Sequence, residues 1–423
     1  MPLPETNVRE SAASPRWLSI VGIGEDGIDG LSAAARGLIG GAEIVFGGKR
    51  HLGLAAPLIR GAARPWPSPF DGAAEEVVSH RGRRICVLAS GDPFLYGVGA
   101  TLARSVDPRE MIVVPTPSAF SLAAARLGWS LPHTALLSVH GRNLDLIRPH
   151  LQPGARLLVL TSDGDEPAAL AKLVAALGFG LSRLTVLEAL GGPRERVRAT
   201  TAAGFDLGAV DALNTVAIDV EAGAEARIIA RSAGLPDHLF EHDGQITKRE
   251  IRALTLSSLA PRRGELLWDI GAGAGSVAIE WMLADPLFMR AIAIEARADR
   301  AARIDRNAAA FGVPGLDVVQ GAAPAALADL PPPDAIFIGG GCDPDVLDAA
   351  LAALPAGGRL VANAVTLETE ALLVARHAAF GGELTRIALS RAGAVGNKTG
   401  WRPAMPVTQW SWIKPLAKSS VAP

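Results

Sequence analysis

From Trp17 onward, short apolar or β-branched runs alternate with Ala/Leu-rich stretches of helical period. This alternation admits little besides α/β architecture built on parallel strands. In the first half, strands are expected near 17–22, 43–46, 84–89, 111–115, 136–139, 156–160, 183–188 and 215–220. Helical patterns such as 31–39, 73–79 and 166–177 lie between them. The series breaks after Val220, where Glu221-Ala222-Gly223-Ala224 leads toward the turn Gly234-Leu235-Pro236-Asp237. A second series then begins, with strands at 265–270, 291–295, 316–320, 335–338 and 358–364 and helices at 275–284 and 298–311. At 423 residues the chain is too long for one ordinary core. The break near 222–236 therefore predicts two domains, 17–222 and 236–415, each with a core of its own.

Charge and composition narrow the function classes. A formal net charge of −2 supplies no basic field for a nucleic-acid backbone, so nucleic acid is not an expected partner. The polar stretch 1–16 contains Glu5 and Glu10 and lacks the apolar segment of a secretory signal. With no apolar run of membrane-spanning length, a reduced cytoplasmic setting without a membrane partner is expected. Of the two cysteines, Cys86 sits in the apolar run Ile85-Cys86-Val87-Leu88 and reads as a core residue, and Cys342 as a loop residue. No cysteines or histidines have metal-ligand spacing, and no metal is expected.

The strongest local signal is Leu266-Leu267-Trp268-Asp269-Ile270-Gly271-Ala272-Gly273-Ala274-Gly275-Ser276. An apolar strand closes on an acidic residue, a glycine-rich turn follows, and a helix starts at once. Such glycines let the backbone lie against a ligand at a helix N-terminus, at the carboxyl end of a parallel sheet. Glu295 ends the next strand, 24 residues beyond Gly271, where a carboxylate can accept hydrogen bonds from ribose hydroxyls. A dinucleotide fingerprint would need a third glycine at the position held by Ser276, which disfavours an NAD-dependent oxidoreductase.

The loop resembles instead the first motif of Rossmann-like methyltransferases, which bind S-adenosylmethionine. Around it, Gly244-Gln245-Ile246-Thr247-Lys248-Arg249-Glu250-Ile251-Arg252, Gly321-Ala322-Ala323-Pro324, Ile338-Gly339-Gly340-Gly341 and Asn363-Ala364-Val365-Thr366-Leu367-Glu368-Thr369 are similar to segments of the C-15 methyltransferase/decarboxylase family of corrin synthesis. The likeness covers about residues 236–410. It implies a cofactor site lined by Thr247, Gly271, Ala272, Gly273, Ala274, Gly275, Glu295 and Ala323. Family members often carry Asp where Ala322 stands, so backbone groups would replace that side chain's contact to adenine.

In the first half, Ser90-Gly91-Asp92-Pro93-Phe94-Leu95-Tyr96-Gly97 follows an apolar strand as a tight polar loop, with Pro93 fixing φ and Asp92 able to accept hydrogen bonds. The pattern resembles the S-G-D-P-x-x-Y-G signature of the tetrapyrrole methylases. Gly22-Ile23-Gly24, Pro117-Ser118-Ala119-Phe120-Ser121 and Glu188-Ala189-Leu190-Gly191-Gly192 agree in order and spacing, over about residues 17–222. The first loop departs from the family's usual G-x-G-P-G-D, reading Gly22-Ile23-Gly24-Glu25-Asp26-Gly27. The resemblance implies a second S-adenosylmethionine site near Gly91, Asp92, Leu95, Ser118 and Ala119.

The expected fold class is therefore α/β: an N-terminal two-lobed tetrapyrrole methylase fold joined to a C-terminal Rossmann-like methyltransferase fold. Such fusion is similar to the bifunctional corrin-ring methyltransferases, which add two methyl groups and remove one carboxyl group. The resemblance implies C-5 methylation by the first half and C-15 methylation with decarboxylation by the second. The implied partners are a tetrapyrrole and further copies of the chain in a homo-oligomer. Because that substrate carries many carboxylates, Lys248, Arg249, Arg391, Lys398 and Arg402 are candidate contacts in the second half, and Arg194, Arg196 and Arg198 in the first. Two alternatives stay open: a methyltransferase for another acceptor, and a chain with one decayed, non-catalytic cofactor domain.

Overall fold

A computed structural model of the chain describes residues 16–67, 70 and 72–416. The polar stretch 1–16 falls, apart from Arg16, outside the described residues. By packing, the chain divides into two compact units. The first holds residues up to Arg142 and Pro153–Arg227; the second holds Asn143–Gln152 and everything from Ile228.

The first unit contains two five-stranded sheets. One is wholly parallel and consists of β1 (Leu18–Ile23), β2 (Ile44–Gly47), β3 (Ala62–Pro65), β4 (Ile85–Ser90) and β5 (Met111–Val114), in the order β3-β2-β4-β1-β5. Every residue of β1 is buried, Ser19 included, as its largely apolar sequence requires of an inner parallel strand. Edge strand β3, Ala-Ala-Arg-Pro, is fully exposed and carries no apolar run, so the sequence pattern does not reveal it. The other sheet has β6 (Ala135–Ser138), β7 (Arg156–Leu160), β8 (Arg183–Glu188), β9 (Arg196–Thr201) and β10 (Asn214–Asp219), in the order β6-β7-β10-β8-β9. Only β6 and β7 run parallel here. Cys86 is buried in the first sheet, and burial pushes its thiol up to about 12.

The second unit is built on one sheet of β11 (Leu266–Ile270), β12 (Arg290–Glu295), β13 (Asp317–Gln320), β14 (Ala335–Ile338), β15 (Arg359–Ala364), β16 (Glu383–Ile387) and a last strand, to be numbered after the hairpin β17 (Ser390–Val395) and β18 (Lys398–Pro403) as β19 (Val407–Ile413). The order is β13-β12-β11-β14-β15-β19-β16, and β19 enters antiparallel between β15 and β16. Its Trp410 is fully buried, and the Trp410 and Trp412 rings stack. One apolar cluster packs the helices Arg249–Leu259, Ser276–Leu283 and Ala298–Phe311 on one face of the sheet, and another packs Pro344–Ala353 and Leu367–Phe380 on the opposite face.

Residues 143–152 interrupt the first unit's sequence but pack with the second. Their helical turn Leu144–His150 lies against the end of Ala298–Phe311, where Gly312 (φ +75°) closes the helix. Gln152 Nε2 donates to the Ile229 carbonyl at 2.8 Å. Among the described residues no helix is long and apolar enough to cross a membrane.

Candidate active sites

In the first unit, the loops leaving β1, β4, β5, β6 and β7 border one cleft of about 780 Å³. The β1 and β4 loops meet backbone to backbone: a Cβ on Gly22 would stand 1.8 Å from the Gly91 carbonyl oxygen. That carbonyl accepts from the Thr116 N–H (3.1 Å) and hydroxyl (3.2 Å), which ties in the β5 loop. Ser118 caps the helix Ala119–Leu127 by accepting from Ser121 N–H at 3.1 Å. Gly91, Leu95, Ser118 and Ala119 all line the cleft. Asp92 does not border it; its Oδ1 accepts the Phe94 N–H at 2.9 Å and shapes the loop.

Beside these residues stands a polar cluster that sequence reasoning missed. Arg50 pairs with Glu25, and its Nη2 lies 2.8 Å from both Ser90 Oγ and His51 Nε2. Ser90 Oγ is in turn 2.8 Å from His51 Nε2. Burial, with the charge of Arg50 adding to it, pushes His51 down to about 4, so the ring is neutral at physiological pH. The departure at Gly24-Glu25-Asp26 was the available sequence signal: Glu25 is an acid where the related pattern has proline, and it serves Arg50 and Arg194.

Across the cleft, His140 Nδ1 lies 3.1 Å from the Thr161 carbonyl. A carbonyl only accepts, so Nδ1 carries the hydrogen and Nε2 keeps its lone pair in the neutral ring. Of the three arginines expected at the substrate, Arg196 and Arg198 hold the buried Glu188 at 2.6 and 2.9 Å, and Arg194 pairs with Asp211 and Glu25. Burial alone would raise Glu188, but the Asp211 N–H and these two guanidinium groups hold it below its ordinary value.

In the second unit, the glycine loop follows β11 with Gly271, Gly273 and Gly275 at φ +68°, +61° and +72°. A Cβ on Gly271 would meet the Gly340 carbonyl oxygen at 2.4 Å, and one on Gly275 would meet Ile304 Cγ2 at 2.7 Å. At Gly273 only the Gln245 carbonyl oxygen stands near, at 3.3 Å. Glu295 is buried, and its two oxygens accept the N–H groups of Gly273 (2.9 Å) and Arg297 (3.0 Å). The carboxylate thus fixes the glycine loop, a task the spacing argument did not include. The loop carrying Ala323 joins the same end of the sheet, since Gly321 N–H donates to the Glu295 carbonyl at 3.0 Å. Asp269 is fully buried beneath the loop; Oδ2 accepts Ala278 N–H at 3.0 Å, and Oδ1 meets no donor among the described residues. Burial, helped by the charge of Glu295, pushes it up to about 7.

The lead-in segment is held by Arg252, which lies wholly inside the unit. Its guanidinium bonds Glu280 (2.5 Å), Asp237 (3.2 Å) and the carbonyls of Thr247 and Leu235, and stacks 4.8 Å from the Phe240 ring centroid. Asn307 ties the same segment to the loop by donating to the carbonyls of Glu241 and Ala274, both at 2.9 Å. Arg252 thus holds the Thr247 backbone, and the Gln245 carbonyl two residues before it stands against Gly273. Lys248 and Arg249 are exposed at the start of the helix Arg249–Leu259. Arg391, paired with Glu250, and Lys398 and Arg402 lie on the exposed hairpin β17–β18. Among the described residues no group of acidic, histidine or cysteine side chains could hold a metal ion.

Residues 18–206 match the tetrapyrrole (corrin/porphyrin) methylases, and residues 238–414 match the precorrin methyltransferase domain. A precorrin-6Y C(5,15)-methyltransferase (decarboxylating) from Sinorhizobium sp is 61% identical over 410 residues, covering 97% of this chain and 99% of the relative. Its counterpart in Mycobacterium tuberculosis is 43% identical over 401 residues, 93% of this chain and 99% of the relative. A cobalt-precorrin-7 C(5)-methyltransferase from Salmonella typhimurium is 28% identical over 180 residues, 43% of this chain and 88% of the relative.

Proposed function

Since the chain belongs to the precorrin-6Y C(5,15)-methyltransferases (decarboxylating) of cobalamin biosynthesis, we propose that it works through two S-adenosylmethionine sites, one in each unit. It is an S-adenosylmethionine-dependent C-methyltransferase that acts on precorrin-6Y with loss of the ring C acetate carboxyl, giving precorrin-8. In our reading the first unit methylates C-5, and the second methylates C-15 and decarboxylates. The observation that carries this division is the coexistence in one chain of two unlike glycine-built loops, in the segments matching two different methyltransferase families. A relative of about half the length, named for C(5) methylation alone, supports it.

The residues present fit the cofactor. In the second unit a buried carboxylate oxygen of Asp269 lacks a donor at the foot of a glycine cradle, which suits a ligand carrying an ammonium group. In the first, Gly91, Leu95, Ser118 and Ala119 stand together on a cleft. When bound, S-adenosylmethionine supplies an electrophilic methyl group on a sulfonium. The task left to the chain is alignment and exclusion of water, for which rigid backbone loops suffice. In the second unit Gly271 through Gly275, Glu295, Thr247 and Ala323 hold and orient; no protein nucleophile is required.

Two outcomes follow for the second site. Glu295→Gln turns an acceptor toward Gly273 N–H into an amide that can present a donor there, so the loop loses a charge-assisted bond. Cofactor affinity at that site should fall by about 1.5–3 kcal/mol, roughly 10- to 150-fold, in a calorimetric titration. A loss below about twofold would mean that the carboxylate does not support the site.

Asp269 gives a pH signature. Its raised value in the folded protein stabilises the fold most below the unfolded value near 4, and that contribution is lost as pH rises toward about 7. An ammonium-bearing ligand favours the ionised form, so affinity at this site should increase as pH rises through about 7. Asp269→Asn should flatten that rise; identical profiles for both proteins would separate Asp269 from the ligand. The whole reading is tested by incubating the full chain with precorrin-6Y and S-adenosylmethionine and weighing the product. Two added methyl groups with one carboxyl lost are expected, and an unchanged mass would overturn it.

A further inference from the structure

The cationic groups bordering the first unit's cleft differ in what neutralises them. Arg50 is paired with Glu25. Nearby Arg194, Arg196 and Arg198 are paired with Asp211, Glu25 and Glu188. His51 is held neutral by burial. Arg142 borders the same cleft and faces no carboxylate among the described residues; its guanidinium sits 5.7 Å from the centroid of the Tyr96 ring. Tyr96 is itself unusual. It adopts φ +55°, a left-handed conformation that costs a residue with a Cβ about 1–2 kcal/mol. The conformation is held because the Tyr96 hydroxyl donates to the Leu136 carbonyl at 3.0 Å and the ring packs edge-on against Phe120. Strain of this kind persists where the surroundings enforce it, and it clusters at ligand sites. Here it sets an aromatic face under one uncompensated guanidinium at the cleft wall.

We propose that Arg142, steered by the Tyr96 ring, docks a peripheral carboxylate of the tetrapyrrole and so positions the macrocycle for methyl transfer in the first unit. The fork of a guanidinium matches a carboxylate with two parallel N–H donors, and a stacked ring limits its rotation without neutralising its charge. Arg142 is a specificity-determining residue and takes no part in bond making. The inference rests on the reading of this cleft as the tetrapyrrole site.

The test uses the full chain with Arg142→Gln and Arg142→Lys. The acceptor is the singly methylated, decarboxylated tetrapyrrole, so that only one methyl group remains to be added. Arg142→Gln should raise KM about tenfold or more, the loss of one charge-assisted contact, while kcat at saturation stays within about twofold. Arg142→Lys should recover part of the difference, because it restores charge but not the fork. S-adenosylhomocysteine should bind both variants as it binds the parent chain, which shows that the cleft is intact. Esterifying the acceptor's peripheral carboxylates should erase the difference between parent and Arg142→Gln. An unchanged KM in Arg142→Gln, with the parent chain active on this acceptor, overturns the proposal. A parent chain that does not methylate the acceptor overturns instead the reading of the cleft on which the proposal rests.

Discussion

The full chain carrying Gly271→Val should bind one equivalent of S-adenosylhomocysteine in place of two, and should release no carbon dioxide from precorrin-6Y. Two effects act together at this position. A φ of +68° is strained for any residue with a Cβ, and the Cβ itself would sit 2.4 Å from the Gly340 carbonyl oxygen and 2.9 Å from its carbon. These are backbone atoms following β14, which is paired to β11 along its length, so neither side can yield without moving the sheet. Strain and overpacking of about 2–5 kcal/mol correspond to at least a roughly thirtyfold loss of affinity at the second site. Calorimetry gives the stoichiometry, and trapping of labelled carbon dioxide gives the chemistry. Decarboxylation at the parental rate would remove that reaction from the second unit.

Arg252→Ala should destabilise the second unit by about 3–5 kcal/mol, because it strands Glu280 as a buried charge without its cation. Glu280 would keep the N–H groups of Gly234 (2.6 Å) and Leu235 (2.9 Å), but lose the guanidinium at 2.5 Å. Burial already raises Glu280 in the intact pair, against the pull of Arg252. Without Arg252 the folded value should climb further above the unfolded one. The variant's deficit should therefore be smallest under acidic conditions and grow as pH rises through that raised value. Denaturant titrations at two pH values measure both the size and the sign. A pH-independent deficit would assign the loss to packing against the Phe240 ring instead.

Much of this arrangement is legible in the chain itself. The buried strands β1, β4 and β11 are written as largely apolar segments, interrupted only by Ser19, Ser90 and Asp269, and the glycines after β11 announce a loop that needs positive φ. Such signals are local. What stayed hidden depends on partners far along the chain. Arg196 and Arg198 read as available cations until Glu188, on the neighbouring strand β8, is seen to take both. Arg50 and His51 carry no pattern of their own; the fold brings them to Ser90, about forty residues away. Asp269 reads as an ordinary strand end, and only the packing above it leaves one oxygen without a donor. The entry of β19 between β15 and β16 is likewise a choice of neighbours that no local period encodes. Arg142 was missed because a useful cation differs from a solvated one only in what fails to neutralise it.

The excursion of residues 143–152 into the second unit bears on how such a fusion can be inherited. The polypeptide passes between the two units three times, at 142/143, 152/153 and 227/228, so no single crossover exchanges one complete unit for another. A chimera joined at 227/228 would set one parent's 143–152 against the other parent's helix end. At Gly312 a Cβ would lie 2.5 Å from Pro149 Cδ and 2.6 Å from the Asp145 carbonyl oxygen. Any lineage that has lost glycine at 312 must have reshaped the 145–149 turn along with it. The two genes' worth of chemistry in this chain would then recombine freely only among relatives that share that seam.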